Sequence, residues 1–215
     1  LHNKWEFSKL TTRLGFSAPV TLMIKDREEI DNLPFESFYI KSCYSRGTAG
    51  TTFVKSKYHF PDIEVSATSP ILIQENLTGK QYCTYSICHD GKVTAHSTYP
   101  LHYSHYDENK TRGSYCLSFE ETHHEKIFEF VKEFVKKTNY TGSIAFDIFD
   151  QDGKIIPLEC NPRLTSGVTL LTEHENLSDA YFNKIEQTLL PKKGIQKQLF
   201  LPALLFATSA AVRNG

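Results

Sequence analysis

The sequence predicts an α+β protein built on antiparallel hairpins, and three patterns lead to that reading. In the first, Gln81 to His89 and Lys92 to Tyr99 each alternate between two faces and are joined across Asp90-Gly91, a two-residue hairpin signal. In the second, from Gly142 to Arg163, Ile144, Phe146 and Ile148 alternate with Ala145, Asp147 and Phe149; Ile156, Leu158 and Cys160 then alternate with Pro157, Glu159 and Asn161. The third is the clearest helix of the chain, Glu120 to Thr138. There Ile127, Phe130, Val131, Phe134 and Val135 make an i, i+3, i+4, i+7, i+8 stripe opposite lysines and glutamates.

The remaining elements follow in chain order. Asn3 to Leu14 reads as a helix ended by Gly15, Val20 to Ile24 as a short strand, and Asp26 to Asn32 as one or two helical turns before Pro34. Ser37 to Tyr44 reads as a strand running into a loop, Ser45 to Thr52. Pro70 to Glu75 is a further strand, followed by the connector Asn76-Leu-Thr-Gly79. Residues 100–116 are polar, histidine-rich and aperiodic, which reads as a long loop, either functional or disordered. Beyond Arg163, Leu164 to Leu171 reads as a loop entering a helix, Asn176 to Leu190 as a helix stopped by Pro191, and Leu199 to Val212 as an apolar core helix too short to cross a bilayer. The chain opens on a helix with no strand before it, so the numbering is expected to begin inside a longer protein. The expected division is residues 1–20 as a helix and linker, 21–80 as a small subdomain and 81–215 as a large one.

Composition narrows the function. The 215 residues balance 24 Lys and Arg against 25 Asp and Glu, so no basic field points to nucleic acid or an anionic membrane surface. A hydrophobic content of 40% excludes a disordered chain. Cys43, Cys83, Cys88, Cys116 and Cys160 are odd in number and show no Cys-x-x-Cys spacing, which predicts reduced thiols and a cytoplasmic protein. The spacings of His96, His102, His105, His123 and His124 match no zinc pattern.

The second hairpin carries the chemistry. Asp150-Gln151-Asp152-Gly153 predicts a three-residue loop, which places Asp147, Glu159 and Asn161 on one face. A two-residue loop would slip the register by one and separate the two acids. Two carboxylates and an amide oxygen above an apolar layer suit Mg²⁺, which takes few protein ligands and fills its octahedron with water and phosphate oxygens. Arg163 on the same face is suited to a phosphate or carboxylate. Alternation alone describes equally well a hairpin with one solvated face. Upstream, Lys41 ends a strand before a loop of small residues whose backbone N–H groups can face an anion.

Together these residues resemble the ATP-grasp superfamily, and within it the carbamoyl-phosphate synthetase large chain and biotin carboxylase group. The resemblance spans roughly residues 3–170. It is carried by Asn3-Lys4 and Pro19, Lys41 with the Gly/Thr loop, Gln74-Glu75-Asn-Leu-Thr-Gly79, and above all Glu159-Cys-Asn161-Pro-Arg163 with Asp147 twelve positions before Glu159. It implies two α+β subdomains gripping ATP between antiparallel sheets. Lys4 and Lys41 would contact ATP phosphates, with Lys41 also near the adenine. Arg46, Gly47, Thr48, Ala49 and Gly50 would close over the phosphates; Glu75, Asn76 and Leu77 would read adenine, and Gln81 would meet the ribose. Asp147, Glu159 and Asn161 would hold two magnesium ions, and Arg163 would steady the transferred phosphoryl group. Gln81 stands where the family often has glutamate, the lid loop has only two glycines, and the domain that normally precedes this region is absent from the sequence.

The implied activity is an ATP-dependent ligase joining a small carboxylate to an amine or ammonia through an acyl-phosphate, with homodimerisation left open. The alternatives are a nucleotide-binding regulatory module without turnover and a β-rich interaction domain without Mg²⁺-dependent ATP binding. The acceptor is not legible; residues 100–116 and 164–175, with Arg112, Glu173 and His174, lie where it is expected.

Overall fold

The computed structural model describes residues 1–44, 50–101 and 118–198. Arg46, Gly47, Thr48 and Ala49 of the anticipated lid, nearly all of the 100–116 loop with Arg112, Cys116, and the apolar segment from Leu199 lie outside the described residues.

Helix α1 (Lys4–Arg13) starts where Asn3 accepts a hydrogen bond from the Glu6 amide, a side-chain N-cap. It is followed by β1 (Thr21–Ile24), a 3-10 turn (Arg27–Asn32), β2 (Phe38–Lys41), β3 (Thr51–Val54) and β4 (Ile71–Glu75). These four strands form one antiparallel sheet in the order β1-β4-β2-β3 around Ile24, Ile30, Phe38, Ile40, Val54 and Ile73. Thr51 and Thr52, expected to end the loop, instead open β3 and pair with β2, Lys41 facing Thr51.

The larger sheet contains β5 (Lys80–His89), β6 (Lys92–Pro100), β8 (Gly142–Gln151) and β9 (Lys154–Asn161), in the order β6-β5-β8-β9. Between β6 and β8 run β7 (Ser118–Glu120) and α2 (Glu125–Thr138). Glu120 to His124 are therefore not helical. The Thr122 amide donates to the Thr98 carbonyl at the edge of β6, and these strand-edge bonds outcompete a longer helix. His124 is the N-cap, its Nδ1 accepting from the Ile127 amide at 3.4 Å and its Nε2 lying 3.0 Å from Asp150 Oδ2. It thereby ties the start of α2 to the β8–β9 hairpin.

One face of the large sheet is covered by α1 and α2. Phe7, Phe130, Phe134, Phe146, Ile144 and Ile148 pack there, and the Phe134 and Phe146 rings meet edge to face at 5.1 Å. The other face is covered over one half by a 3-10 helix (Ser166–Leu171) and α3 (Leu177–Tyr181), which bury Tyr85, Ile87, Ala95 and Ala145. The helix expected to continue to Leu190 stops early. Asn183 has a positive φ of 52°, and Leu189 exchanges backbone hydrogen bonds with Thr94 and His96 along the free edge of β6. A last short strand, β10 (Gln196–Gln198), pairs with β7.

The β8–β9 ribbon departs from expectation in its turn and in its ladder. Gln151 pairs with Lys154, leaving a two-residue turn, Asp152-Gly153, both residues at positive φ (51° and 88°). A regular ladder from that turn would set Asp147 opposite Leu158. Instead Ile148 pairs with Pro157 and Asp147 with Glu159, so Leu158 is bulged out and the register recovers the lost step. The two-residue turn also sets Ile155, not Ile156, against the helix-covered face. The two acids share a face, as expected, but for a different reason.

Gly167 fixes how closely the 3-10 helix approaches the sheet. A Cβ there would lie 2.7 Å from Tyr85 Cβ and 2.8 Å from Tyr99 Cε1. Gly167→Ala is therefore expected to lower stability by about 1–3 kcal/mol, the usual effect of overpacking, read as a lower urea midpoint.

Candidate functional site

The half of the second face left open by the 3-10 helix holds three residues in one row across three strands. Cys83 on β5 pairs with Asp147 on β8, which pairs with Glu159 on β9. One step along, Asn161 pairs with Ala145 and donates from Nδ2 to Glu159 Oε1 at 3.3 Å. Arg163 follows, its Nη2 donating to Asn161 Oδ1 at 3.1 Å and its Nη1 to the Leu164 carbonyl at 3.3 Å. Asp147, Glu159, Asn161, Arg163 and Gln81 line a common cleft of ≈ 550 Å³.

Two lysines approach this row from outside the large sheet. Lys4, the first residue of α1, is only 5% exposed, and its Nζ lies 3.0 Å from Glu159 Oε2. Its backbone amide donates to the Cys43 carbonyl at 3.1 Å, which joins the start of α1 to the chain leaving β2. At the end of β2, Lys41 donates to Gln74 Oε1 at 2.6 Å, and Gln74 in turn donates to Thr21 Oγ1 at 3.0 Å. The small sheet therefore presents Lys41 within electrostatic reach of Glu159 and Asp147.

Burial governs the charges. It lowers the Lys41 ammonium to about 8, while Glu159 and Asp147 pull the other way and Lys4 adds to the lowering. Burial also pushes Asp147 up to about 8, helped by the charge of Glu159 and a hydrogen bond with it and opposed by a hydrogen bond from Cys83. Burial acts against the Glu159 charge too. There Lys4 and the hydrogen bond with Asp147 outweigh it, and the carboxyl stays below its ordinary range. Burial and mutual repulsion thus favour a proton on the pair, on the side of Asp147, while Lys4 favours the charged form of Glu159. Such a pair fits a divalent cation, which can replace the proton and neutralise both carboxylates. Among the described residues no group of three or more His, Cys, Asp and Glu side chains is placed to hold a metal ion together, so a cation at this pair would take its remaining ligands from amide oxygen, water and phosphate.

The other anticipated residues fall into two groups. Gly50 is exposed with a φ of 74°, its carbonyl accepting from the Ser42 amide at 3.1 Å beside Lys41. Glu75 ends β4 and accepts from the Val20 amide at 2.7 Å, which pins the entry to β1. Asn76 and Leu77 lie on the connector from the small sheet to β5; Asn76 is exposed and Leu77 half-buried. His96 donates to or accepts from Ser86 and Thr98, both at 2.8 Å, and is a satisfied core histidine. Gln74, named within the resemblance, and Cys83, named among the thiols, were given no role at the site by the sequence reading. Cys83 follows Gln81 by two on the same face, a signal that becomes useful only once the β5–β8 register is known.

The raised Asp147 carboxyl has a signed consequence. Between about 4 and about 8 it is protonated in the fold and ionised in the unfolded chain, which has an ordinary value near 3.8. The unfolded state then holds fewer protons, so the stability of the metal-free protein falls as pH rises through that window. Asp147→Asn is expected to flatten the decline, measured as the thermal midpoint at pH 5 and pH 8 in a chelator.

Comparison with known proteins bears on the family and the fold. A family model described as an ATP-grasp domain matches residues 1–167. Among solved structures, phosphoribosylamine–glycine ligase from Thermotoga maritima superposes with a TM-score of 0.66 at 16% identity, covering 89% of this chain and 56% of that one. D-alanyl-alanine synthetase A from Vibrio cholerae gives 0.62 at 15%, covering 85% and 64%. The biotin carboxylase domain of Hydrogenobacter thermophilus 2-oxoglutarate carboxylase, bound to MgADP and bicarbonate, gives 0.62 at 12%, covering 87% and 46%. The chain thus spans about half the length of the first of these, and no curated protein matches its sequence. With a family match over most of its length and a fold shared with these structures, the chain belongs to the ATP-grasp family.

Proposed function

We propose that this chain forms the nucleotide- and metal-binding part of an ATP-dependent ligase, one that activates a small carboxylate as an acyl-phosphate for attack by an amine or ammonia. The observation that carries the reading is the direct opposition of Asp147 and Glu159, flanked by Asn161 and Arg163 and faced by Lys4 and Lys41. Family membership supports it, as do fold neighbours named as a ligase and a synthetase.

In the proposed reaction a carboxylate oxygen attacks the γ-phosphorus in line. The bond from that phosphorus to the bridging oxygen breaks, and ADP leaves with the electron pair. The amine nitrogen then attacks the acyl carbon, phosphate departs, and the nitrogen loses a proton. Such transfers ask the protein mainly for positioning and charge neutralisation. Lys4 and Lys41 neutralise ATP phosphate oxygens, Lys4 exchanging its contact with Glu159 for the nucleotide. Arg163 steadies the transferred phosphoryl group. Asp147, Glu159 and Asn161 hold Mg²⁺, which supplies compensation for the charge on the phosphate oxygens. Glu75, Asn76 and Leu77 seat the adenine, and Gln81 meets the ribose.

Removing one preorganised charge from such a site typically costs about a hundred- to thousand-fold in rate. Glu159→Gln is expected to lose turnover by that order in ATP-driven phosphate release while the far-ultraviolet dichroism of the protein is unchanged. Retention of near-normal turnover by this variant would overturn the assignment.

A further inference from the structure

Gln74 is a polar side chain that the small sheet buries, with 3% of it exposed. It lies on β4, which has a neighbour on each flank: Thr21 of β1 stands directly opposite on one side and Tyr39 of β2 on the other. Lys41 is two residues beyond Tyr39 on the same face, so Gln74 meets it diagonally across the β2–β4 pair. That face is the one turned away from the Ile24, Phe38, Ile40, Val54 and Ile73 core. A buried amide has to match its acceptor and its donors to suitable partners, and here both ends dictate the match. The Thr21 hydroxyl donates its one hydrogen to the Pro19 carbonyl at 3.0 Å, which leaves it to accept from Gln74 Nε2 at 3.0 Å. The Lys41 ammonium can only donate, and it does so to Gln74 Oε1 at 2.6 Å. A row of hydrogen bonds from Pro19 through Thr21 and Gln74 thus ends on the ammonium that lies within electrostatic reach of Glu159 and Asp147. Among the described residues no carboxylate forms an ion pair with Lys41, and the oxygen that holds it is neutral. A carboxylate in that place would hold the ammonium as firmly and cancel its charge toward any other anion. An apolar side chain would leave the long lysine stem free among its rotamers.

Building on the nucleotide-binding part of the reading above, we propose that Gln74 is the positioning residue of Lys41: its amide oxygen fixes the ammonium at the end of β2 and, being uncharged, leaves the positive charge to the phosphates of ATP. Thr21 stands behind it and holds the amide in the one orientation that shows Lys41 an oxygen. Both ends of the Gln74 amide are engaged within the sheet, so the residue acts through Lys41. Its contribution is therefore felt by ligands that carry phosphate and not by the nucleoside alone.

The test is calorimetric titration of the intact protein with ATP and with adenosine, both in Mg²⁺. Gln74→Met keeps the length of the side chain and removes the oxygen; it is expected to raise the Kd for ATP about tenfold, the usual effect of losing a hydrogen bond to a charged group. Lys41→Met is expected to raise it at least as much. The double variant binds ATP no more weakly than Lys41→Met, because Gln74 has nothing left to position. Gln74→Glu keeps an oxygen in place and adds a charge. It is expected to weaken ATP by about tenfold as well while adenosine binds as in the wild type, a separation that a purely structural role would not produce. Losses that add in the double variant would overturn the action through Lys41 and leave the nucleotide reading standing. So would a Gln74→Glu variant that binds ATP as the wild type does, or one that loses adenosine and ATP alike. A wild-type protein that binds neither ATP nor adenosine would overturn the reading on which the proposal rests.

Discussion

Two carboxyl groups placed face to face on neighbouring strands repel each other, and much of the structure around Asp147 and Glu159 serves to hold them there. Their opposition comes from the β8–β9 ladder, whose other face is locked by the Phe7, Phe130, Phe134 and Phe146 cluster. Their charge is relieved by a proton favoured on the side of Asp147 and by the buried ammonium of Lys4. A buried pair of this kind is costly to break from one side, because the remaining charge is stranded in a poor dielectric. Helix α1 is therefore part of the site as well as a covering for the sheet: Phe7 anchors it in the core, and one turn earlier Lys4 delivers the counter-charge.

The two sheets meet through a few specific links. The Lys4 amide reaches the Cys43 carbonyl, and Lys41 extends from β2 toward the acidic pair. Each link joins a residue of the small sheet or of α1 to the neighbourhood of the cleft. The positive side chains thus come from one side and the negative ones from the other, the polarity required to hold an anionic ligand together with its cation.

Legibility in the sequence followed the range of the forces involved. Helix α2 and the β5–β6 hairpin were readable because a hydrophobic stripe and an Asp-Gly turn are local signals; so was the start of α1, from Asn3. Strand β3 was not, since Thr51 to Val54 becomes a strand only by pairing with β2. Glu120 and Leu189 were assigned to helices because their edge-strand partners, β10 and β6, are distant in the chain. At the site, the residue types Asp147, Glu159, Asn161 and Arg163 announced oxygen-rich anion and cation chemistry. The ion pair from Lys4 and the neighbour Cys83 depend on packing and register, which carry no short-range signature.

The bulge at Leu158 also bears on what kind of change this ribbon can absorb. One surplus residue is stored in β9, so a chain lacking any single residue between Ile155 and Leu158 could straighten the strand and still bring Glu159 opposite Asp147. An added residue finds no such slack. What descent must preserve is therefore the meeting of the two acids across the ribbon, and the number of residues separating them is free to shrink by one.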